Sequence, residues 1–258
     1  MKIGVIGGSG VDDPKIFDSL ETIKMHTPYG MTSGFLNIGK INERDIVTIS
    51  RHGDKHSYNP SNVNYRANLW ALKELGVTHV IAASAVGSLR DDMRPGDFVF
   101  VDQFIDRTTK REQSFYYGRE VCHISMAEPF CSKLRMILKA SASSLGLRFH
   151  GKGTIVVIEG PRFSTKAESN LFRSWGCDVI GMTLVPECVL ARELGLCYVS
   201  ACMITDYDCW KDNIVNVEEI FFTMKKNASN VNKLILDVIS RIDYLECECR
   251  TAIKNSIM

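Results

Sequence analysis

No stretch of this 258-residue chain approaches the roughly 20 consecutive apolar residues that a membrane-spanning helix needs, so no membrane contact is expected. There is no excess of charge of either sign. The formal net charge is +1 with 24% charged residues, which gives no electrostatic reason to expect nucleic acid as a partner. No internal repeat, low-complexity tract or Pro-, Gly- or Ser-rich linker divides the sequence. The first residues, "MKIGVIGG", run straight into a strand pattern with one lysine and no cleavage site, so the expectation is a cytoplasmic protein without a signal peptide. Apolar content of 45% is that of a globular chain with a substantial core.

Cysteine, by contrast, is abundant: nine residues, seven through the middle and two forming "CEC" at Cys247 and Cys249. None makes the C-x-x-C pairs of a zinc site, so on spacing no metal is expected. Two readings remain open. The cysteines are small buried hydrophobes with two exposed thiols in the tail, or they form disulfides in a cytosol that tolerates them, as in hyperthermophiles. Cysteines two apart close only a strained and reducible ring, so the "CEC" pair would exchange rather than act as a fixed staple.

Short apolar runs alternate with amphipathic ones. Strands are expected at residues 2–6, 46–50, 79–83, 97–104, 153–158, 179–181 and 197–204. Helices are expected in "SNVNYRANLWALKELG", "EPFCSKLRMILKASASSLG", "STKAESNLFRSWG" with Thr165 and Glu168 at capping-box spacing, "VPECVLARELG" with Pro186 in its first turn, and residues 217–242. The alternation predicts an α/β fold: one domain, residues 1–242, with a mixed, largely parallel central sheet flanked by helices, followed by a cysteine-containing tail, 243–258. In such sheets ligands bind at the carboxyl ends of strands.

The strand ends carry the residues of chemical interest. "GGSG" after the first strand holds Ser9 on a glycine turn able to bind a small anion. It fits the dinucleotide fingerprint poorly, because Asp13 stands where the third glycine belongs, and no "GK[ST]" comes next to make a P-loop. "SRHGDKH" after the second puts Arg51, with its planar fork, beside His52, which can donate to the same anion. "ASAVGSL" after the third supplies Ser84, Ala85 and Gly87 as a further small-residue turn. Later come Phe163 in "EGPRFSTK", Met182 and Thr183 in "GMTLVPE", and Asp206 and Asp208 in "TDYDCW", whose i, i+2 spacing puts both carboxylates on one side of an extended backbone. Tight turns, surface ion pairs and caps explain any of these singly. Together they suit a phosphate beside a sugar and a heterocycle.

With "GVIGGSGVDDP", "VNYRANLWALKELG", "RPGDFVFVDQFIDRTTKR" and "VCHISMAEPFC", these motifs resemble the methylthioadenosine-cleaving branch of the purine nucleoside phosphorylase family, in order, from about residue 2 to about residue 240. The "CECR" tail resembles archaeal members. The resemblance implies phosphorolysis of 5′-methylthioadenosine to adenine and 5-methylthioribose 1-phosphate, in purine and methionine salvage, with adenosine as a secondary substrate. Inorganic phosphate would be the co-substrate and no cofactor would be needed. It implies phosphate ligands Ser9, Arg51, His52, Ser84, Ala85 through its backbone, and Thr183; many relatives carry Thr at Ser9 and Ser84, and the hydroxyl is kept. It places Met182 against the ribose and Phe163 on the base or sugar. Asp206 and Asp208 would face purine N7 and the exocyclic amine, with Tyr207 between them among the substrate-binding residues, and Ser164 would tune base selectivity. His123 from a neighbouring subunit would border a 5′ pocket of Val217, Ile220 and Phe221, in a homotrimer or a dimer of trimers. Asp206 is expected to donate the proton to N7, with a raised pKa in a coupled pair with Asp208. Three alternatives stay open: a purine nucleoside or methylthioinosine phosphorylase of broader base specificity, a hydrolase using water, and a non-catalytic nucleoside-binding module.

Overall fold

The structure is a computed structural model, and it describes residues 1–7, 17–211, 216–244, 246–254 and 256–258. Ser9 and its glycine turn lie outside the described residues. Along the chain come β1 (Lys2–Gly7), β2 (Ser19–Ile23), β3 (His26–Thr27), β4 (Gly30–Met31), β5 (Leu36–Ile41) and β6 (Arg44–Ser50). Next are α1 (Tyr65–Glu74), β7 (Val77–Ser88), β8 (Phe98–Val99), β9 (Gln103–Arg107), α2 (Ser132–Ser144) and β10 (Phe149–His150). The chain continues through β11 (Thr154–Ile158), α3 (Lys166–Ser174), β12 (Val179–Gly181), α4 (Leu184–Glu193), β13 (Cys197–Asp206) and α5 (Val217–Arg241). A short 3₁₀ turn, Asp208–Trp210, comes after β13, and another, Glu248–Thr251, lies in the tail.

The sheet runs β10-β8-β13-β7-β1-β6-β5-β2, and a branch leaves β7 through β12 to β11 and β9. Its centre is parallel: β1 with β6 and β7, and β7 with β13. Antiparallel pairs occur at β5–β6, β2–β5, β8–β13 and β7–β12, so the expected mixed, largely parallel sheet is present. The central strands are buried on both faces and read as continuous apolar runs. Leu69, Leu72, Leu184 and Leu190 of α1 and α4 cover one side of the core. Leu134 and Leu138 of α2, with Leu234, Ile235 and Val238 of α5, cover the other. Among the described residues no helix is long and apolar enough to cross a membrane.

Local signals set the boundaries. The Asn64 side chain caps α1 by accepting from the Ala67 N–H at 3.2 Å, and the Thr165–Glu168 capping box of α3 is complete. Val185 is extended, so the continuous helical run of α4 starts at Pro186. The single strand expected over 97–104 is split in two. Phe98 and Val99 pair with Met203 and Cys202, after which the chain crosses to β11, where Gln103 faces Thr154. β2 and β5 are additions to the expected strands: "SLETI" is almost wholly exposed, and "LNIGKI", buried at both ends, carries Asn37, Gly39 and Lys40 between them. The β5–β6 hairpin turns on Asn42 and Glu43, both at positive φ, in the manner of a primed turn.

β7 is the element that creates the site. Its first half pairs with β1 and its second with β12, while β13 accompanies it almost throughout. Ser84, Ala85 and Gly87, expected in a turn, lie instead inside this strand, because β13 continues the ladder from Ala83 to Gly87. The carboxyl ends of β1 and β6 therefore open beside the middle of β7, at the point where the sheet divides.

Candidate active site

A cavity of about 630 Å³ opens at that division. Arg51, His52, Ser84, Ala85, Thr183, Met182, Phe163, Ser164, Asp206, Asp208, Val217, Ile220 and Phe221 all line it. The sheet contributes its middle, α4 its amino end and α5 its first turn.

At the basic end, Arg51 comes directly after β6, its N–H bonded to the Gly7 carbonyl at 2.9 Å. Its guanidinium is buried. Nε and Nη2 donate to the two oxygens of Glu187 at 2.7 and 2.9 Å, and Nη1 donates to the Ala83 carbonyl at 2.9 Å. Burial opposes the Arg51 charge, but Glu187 more than offsets this and the pKa rises. Of five N–H donors, three are occupied, which leaves one on each terminal nitrogen: an edge that matches two anion oxygens. Glu187 is itself wholly buried on α4 and also accepts from the Tyr198 hydroxyl at 2.7 Å. Sequence reasoning passes over it; the available signal is a lone acid among Val185, Pro186 and Cys188 on an apolar helix.

His52 behaves differently from expectation. Burial and the adjacent Arg51 push its pKa down to about 4, so the ring is neutral at pH 7. Nδ1 lies 2.9 Å from the Tyr58 carbonyl, which demands a donor, and this assigns the lone pair to Nε2. His52 therefore offers the cavity a hydrogen-bond acceptor at Nε2 rather than the donor expected of it. The Thr183 hydroxyl, at the N-cap of α4, makes no capping bond. The hydroxyls of Ser84 and Ser164 are buried without partners.

Asp206 and Asp208 both reach the cavity, though not by strand alternation. The β13 ladder slips between Ile204 and Asp206, and Asp208 sits in the 3₁₀ turn with φ +50°. Asp206 accepts the Thr205 hydroxyl and the Asp208 N–H, each at 2.8 Å. Burial raises its pKa, and Glu219 adds to the rise. Burial also raises Asp208, with the Asp206 charge contributing. The expected elevation is present, then, but the acid acting on Asp206 is Glu219 on α5. One Asp208 oxygen has no partner, and the Ser169 hydroxyl beside it forms no well-directed hydrogen bond. Gly87 makes room for the pair: a Cβ there would stand 3.0 Å from Asp206 Oδ1 and 3.3 Å from Asp208 Cβ.

The floor is held by Arg111, the last residue of the "RPGDFVFVDQFIDRTTKR" stretch, to which the sequence alone assigns no role. Its Nη1 donates to the carbonyls of Met182 (2.5 Å) and Val185 (2.6 Å), and its Nη2 to that of Glu159 (2.7 Å). Its Nε faces the Glu159 carboxylate at 3.3 Å. Burial works against that carboxylate, yet the Ser61 hydroxyl, the Thr109 N–H and Arg111 bring it down to about 2. This clamp sets Met182 against Gly160, where a Cβ would lie 2.6 Å from the Met182 sulfur.

Two assignments do not join the cavity. Tyr207 turns away, edge-on to Trp210 with Lys211 Nζ 3.7 Å from its ring centre, and lines a neighbouring surface pocket with Pro95 and Asn216. His123 is exposed and donates its backbone N–H to the Ser256 carbonyl at 2.7 Å. All nine cysteines are free thiols, so the alternative of disulfides is not realised here, and Cys249 is buried rather than an exposed tail thiol.

This geometry has close counterparts. The S-methyl-5′-thioadenosine phosphorylase of Danio rerio is 55% identical over 253 residues, covering 95% of this chain and 90% of its own. That of Pyrococcus abyssi is 52% identical over 254 residues, covering 98% of each chain. The methylthioadenosine phosphorylase of Schistosoma mansoni in complex with adenine has a TM-score of 0.94 at 39% identity, covering 99% of this chain and 98% of that one. A variant of the adenosine/methylthioadenosine phosphorylase of the same organism, in complex with methylthioadenosine, also gives a TM-score of 0.94 at 39% identity, with the same coverage. Residues 2–240 match the phosphorylase superfamily, and the chain belongs to it.

Proposed function

We propose that this chain is an S-methyl-5′-thioadenosine phosphorylase, transferring 5-methylthioribose from adenine to inorganic phosphate. The observation that carries the reading is the set of unsatisfied groups in one cavity: two free N–H bonds of Arg51, the Ser84 and Ser164 hydroxyls, and one oxygen of Asp208. Buried polar atoms are nearly always paired, so groups left open around a common space point to a ligand that pairs them. Basic donors cluster at one end and carboxyls at the other, which fits a substrate that is anionic on one side and basic on the other.

The chemistry derives from that polarity. Phosphate rests on the free Arg51 edge with the hydroxyls of Ser84 and Thr183 and the Ala85 N–H; Ser9 would join from outside the described residues. A phosphate oxygen bonds to the sugar carbon as the carbon–nitrogen bond breaks, and the bonding pair leaves with adenine. The departing base needs a proton at N7. A carboxyl with a raised pKa supplies it, and Asp206 on the cavity wall is such a group. Asp208 accepts from the exocyclic amine. Met182 and Phe163 flank sugar and base, Ser164 lies at the base, and Val217, Ile220 and Phe221 give the 5′ substituent an apolar wall. Preorganised donors aimed at one anion supply the main rate enhancement, and no cofactor enters the reaction.

We assign His123 to a neighbouring subunit's 5′ pocket, and the chain to a trimer or a pair of trimers, in the cytoplasm. Exposed Tyr117 and Val121, on the same segment as His123, support an interface there. The decisive experiment incubates the protein with methylthioadenosine with and without phosphate. Adenine and 5-methylthioribose 1-phosphate are expected only when phosphate is present. Adenine released without it makes the chain a hydrolase, and tight binding without turnover makes it a binding module.

A further inference from the structure

Far from this cavity, the fold gathers four cysteines that sequence spacing keeps apart. Cys131 is the N-cap of α2, Cys197 is the first residue of β13, and Cys247 and Cys249 belong to the tail. Their sulfurs all lie within 4.8 Å of one another, and Cys131 Sγ stands 3.7 Å from Cys247 Sγ. We infer that these four residues form a tetrathiolate site for a divalent zinc ion, which fastens the C-terminal tail to the core.

The spacing is that of a metal polyhedron. Four thiolates around zinc at about 2.3 Å define a tetrahedron with sulfur–sulfur edges of about 3.8 Å. The surroundings favour the ionised sulfur that such an ion requires. Cys131 sits at a helix amino terminus, where its sulfur accepts the Leu134 N–H at 3.5 Å. The Tyr244 hydroxyl lies 3.5 Å from the same sulfur. Lys133 brings its charge to the rim, 5.3 Å from the centre of the Tyr244 ring, and donates to the Glu246 carbonyl at 2.9 Å. Cys131, Cys197 and Cys249 are buried and Cys247 is half-buried, so the site is closed, as structural zinc sites are. The C-x-C pair also finds a use: both sulfurs can face one ion, whereas a bond between them would be strained. Loading converts four thiols and one Zn²⁺ into a complex of net charge −2 and releases four protons.

The consequence reaches beyond the knot. After Cys249 the chain returns to the segment before α2: Cys122 bridges Ile257, the Met258 N–H donates to Val121, and the His123 N–H donates to Ser256. An ion holding Cys247 and Cys249 thus anchors one end of a strap whose other end lies on residues 121–123.

The test uses the full chain, expressed with zinc and purified without chelator. Elemental analysis is expected to give one zinc per chain, and X-ray absorption four sulfur neighbours at about 2.3 Å. C247S/C249S should lose the metal, and C177S, outside the cluster, should keep it. Zinc removal should expose the tail to limited proteolysis, and zinc replacement should protect it again. If C247S/C249S fails to fold, the wild-type absorption spectrum still decides. The inference is overturned by a metal-free chain four hydrogens lighter than its reduced form (two disulfides). It is equally overturned by four free thiols that take up no zinc on dialysis, or by zinc retained in C247S/C249S.

Discussion

Arg51 and Glu187 are joined by two parallel hydrogen bonds, 2.7 and 2.9 Å, with both side chains out of solvent. The pairing fixes the guanidinium plane, so its remaining N–H bonds point along one edge before any anion arrives. Glu187→Gln keeps the volume but leaves the arginine charge uncompensated. Removing one partner of a buried pair costs about 3–5 kcal/mol. We expect lower stability and a KM for phosphate raised at least tenfold, with a much smaller change in KM for the nucleoside. Initial-rate kinetics with each substrate varied separately check this; equal changes in both would remove Glu187 from the anion end.

Residue types at strand ends point to the anion end, and on that signal Arg51, Ser84 and Thr183 belong together, as they do on one cavity. The same signal does not find Glu187 or Arg111, because each acts through contacts distant in the chain: 136 residues separate Arg51 from Glu187, and 71 separate Arg111 from Met182. Strand periodicity locates β1, β6, β12 and β13 well, since their burial is nearly complete. It misses β2, whose edge position leaves it exposed, and β5, where Asn, Gly and Lys interrupt the apolar residues, and it cuts β7 short, where small residues resemble a turn. The i, i+2 rule itself turns Tyr207 away from the two acids; what it does not foresee is that they reach the cavity through a register slip in β13 and a positive φ at Asp208.

Arg111 supports the floor through the carbonyls of Met182, Val185 and Glu159 and through the Glu159 carboxylate. A lysine keeps the charge but cannot reach four acceptors with one ammonium group. Arg111→Lys is therefore expected to lower kcat/KM at least tenfold and to be partly rescued by added guanidinium. Unchanged kinetics would show that Met182 and Gly160 hold their places without it.

Asp208 buries an oxygen that has no partner, and its raised pKa is a stability statement. The folded chain holds this proton at pH values where the unfolded chain has released it. The stability so gained is full below the ordinary aspartate pKa, and it is lost as pH rises through the folded value. Asp208→Asn removes the penalty. At pH 7 the variant should be more stable, because it carries no ionisable group for burial to penalise. The gain should shrink as pH falls toward 4, while turnover of methylthioadenosine drops. Thermal unfolding at pH 4 and 7 gives the answer, and a loss of stability at pH 7 would contradict it.

Asp206 is the proton source in the reaction proposed here. Its pKa is raised, so the donor form persists above the usual carboxylate range and disappears as pH climbs. The wild-type kcat should fall on the alkaline side with one ionisation. Asp206→Asn should lose about 100-fold or more, in line with general-acid contributions, and should lack that limb. Full activity with an unaltered pH profile would deny Asp206 the role.

The apolar wall formed by Val217, Ile220 and Phe221 sits on the first turn of α5, on the same cavity as the Asp206 carboxyl. A methylthio group gains from such a wall by burial alone, which is worth about 1–3 kcal/mol, or 10–200-fold over a hydroxyl. The discrimination is shallow because an apolar pocket rejects a small hydroxyl weakly. Ile220→Asn offers that hydroxyl a partner and takes apolar contact from the methyl group. The ratio of kcat/KM for methylthioadenosine to that for adenosine should then fall about tenfold or more, through loss on the first and gain on the second. If both substrates lose equally, Ile220 shapes the helix rather than the pocket, and recognition of the 5′ group must rest on the neighbouring subunit.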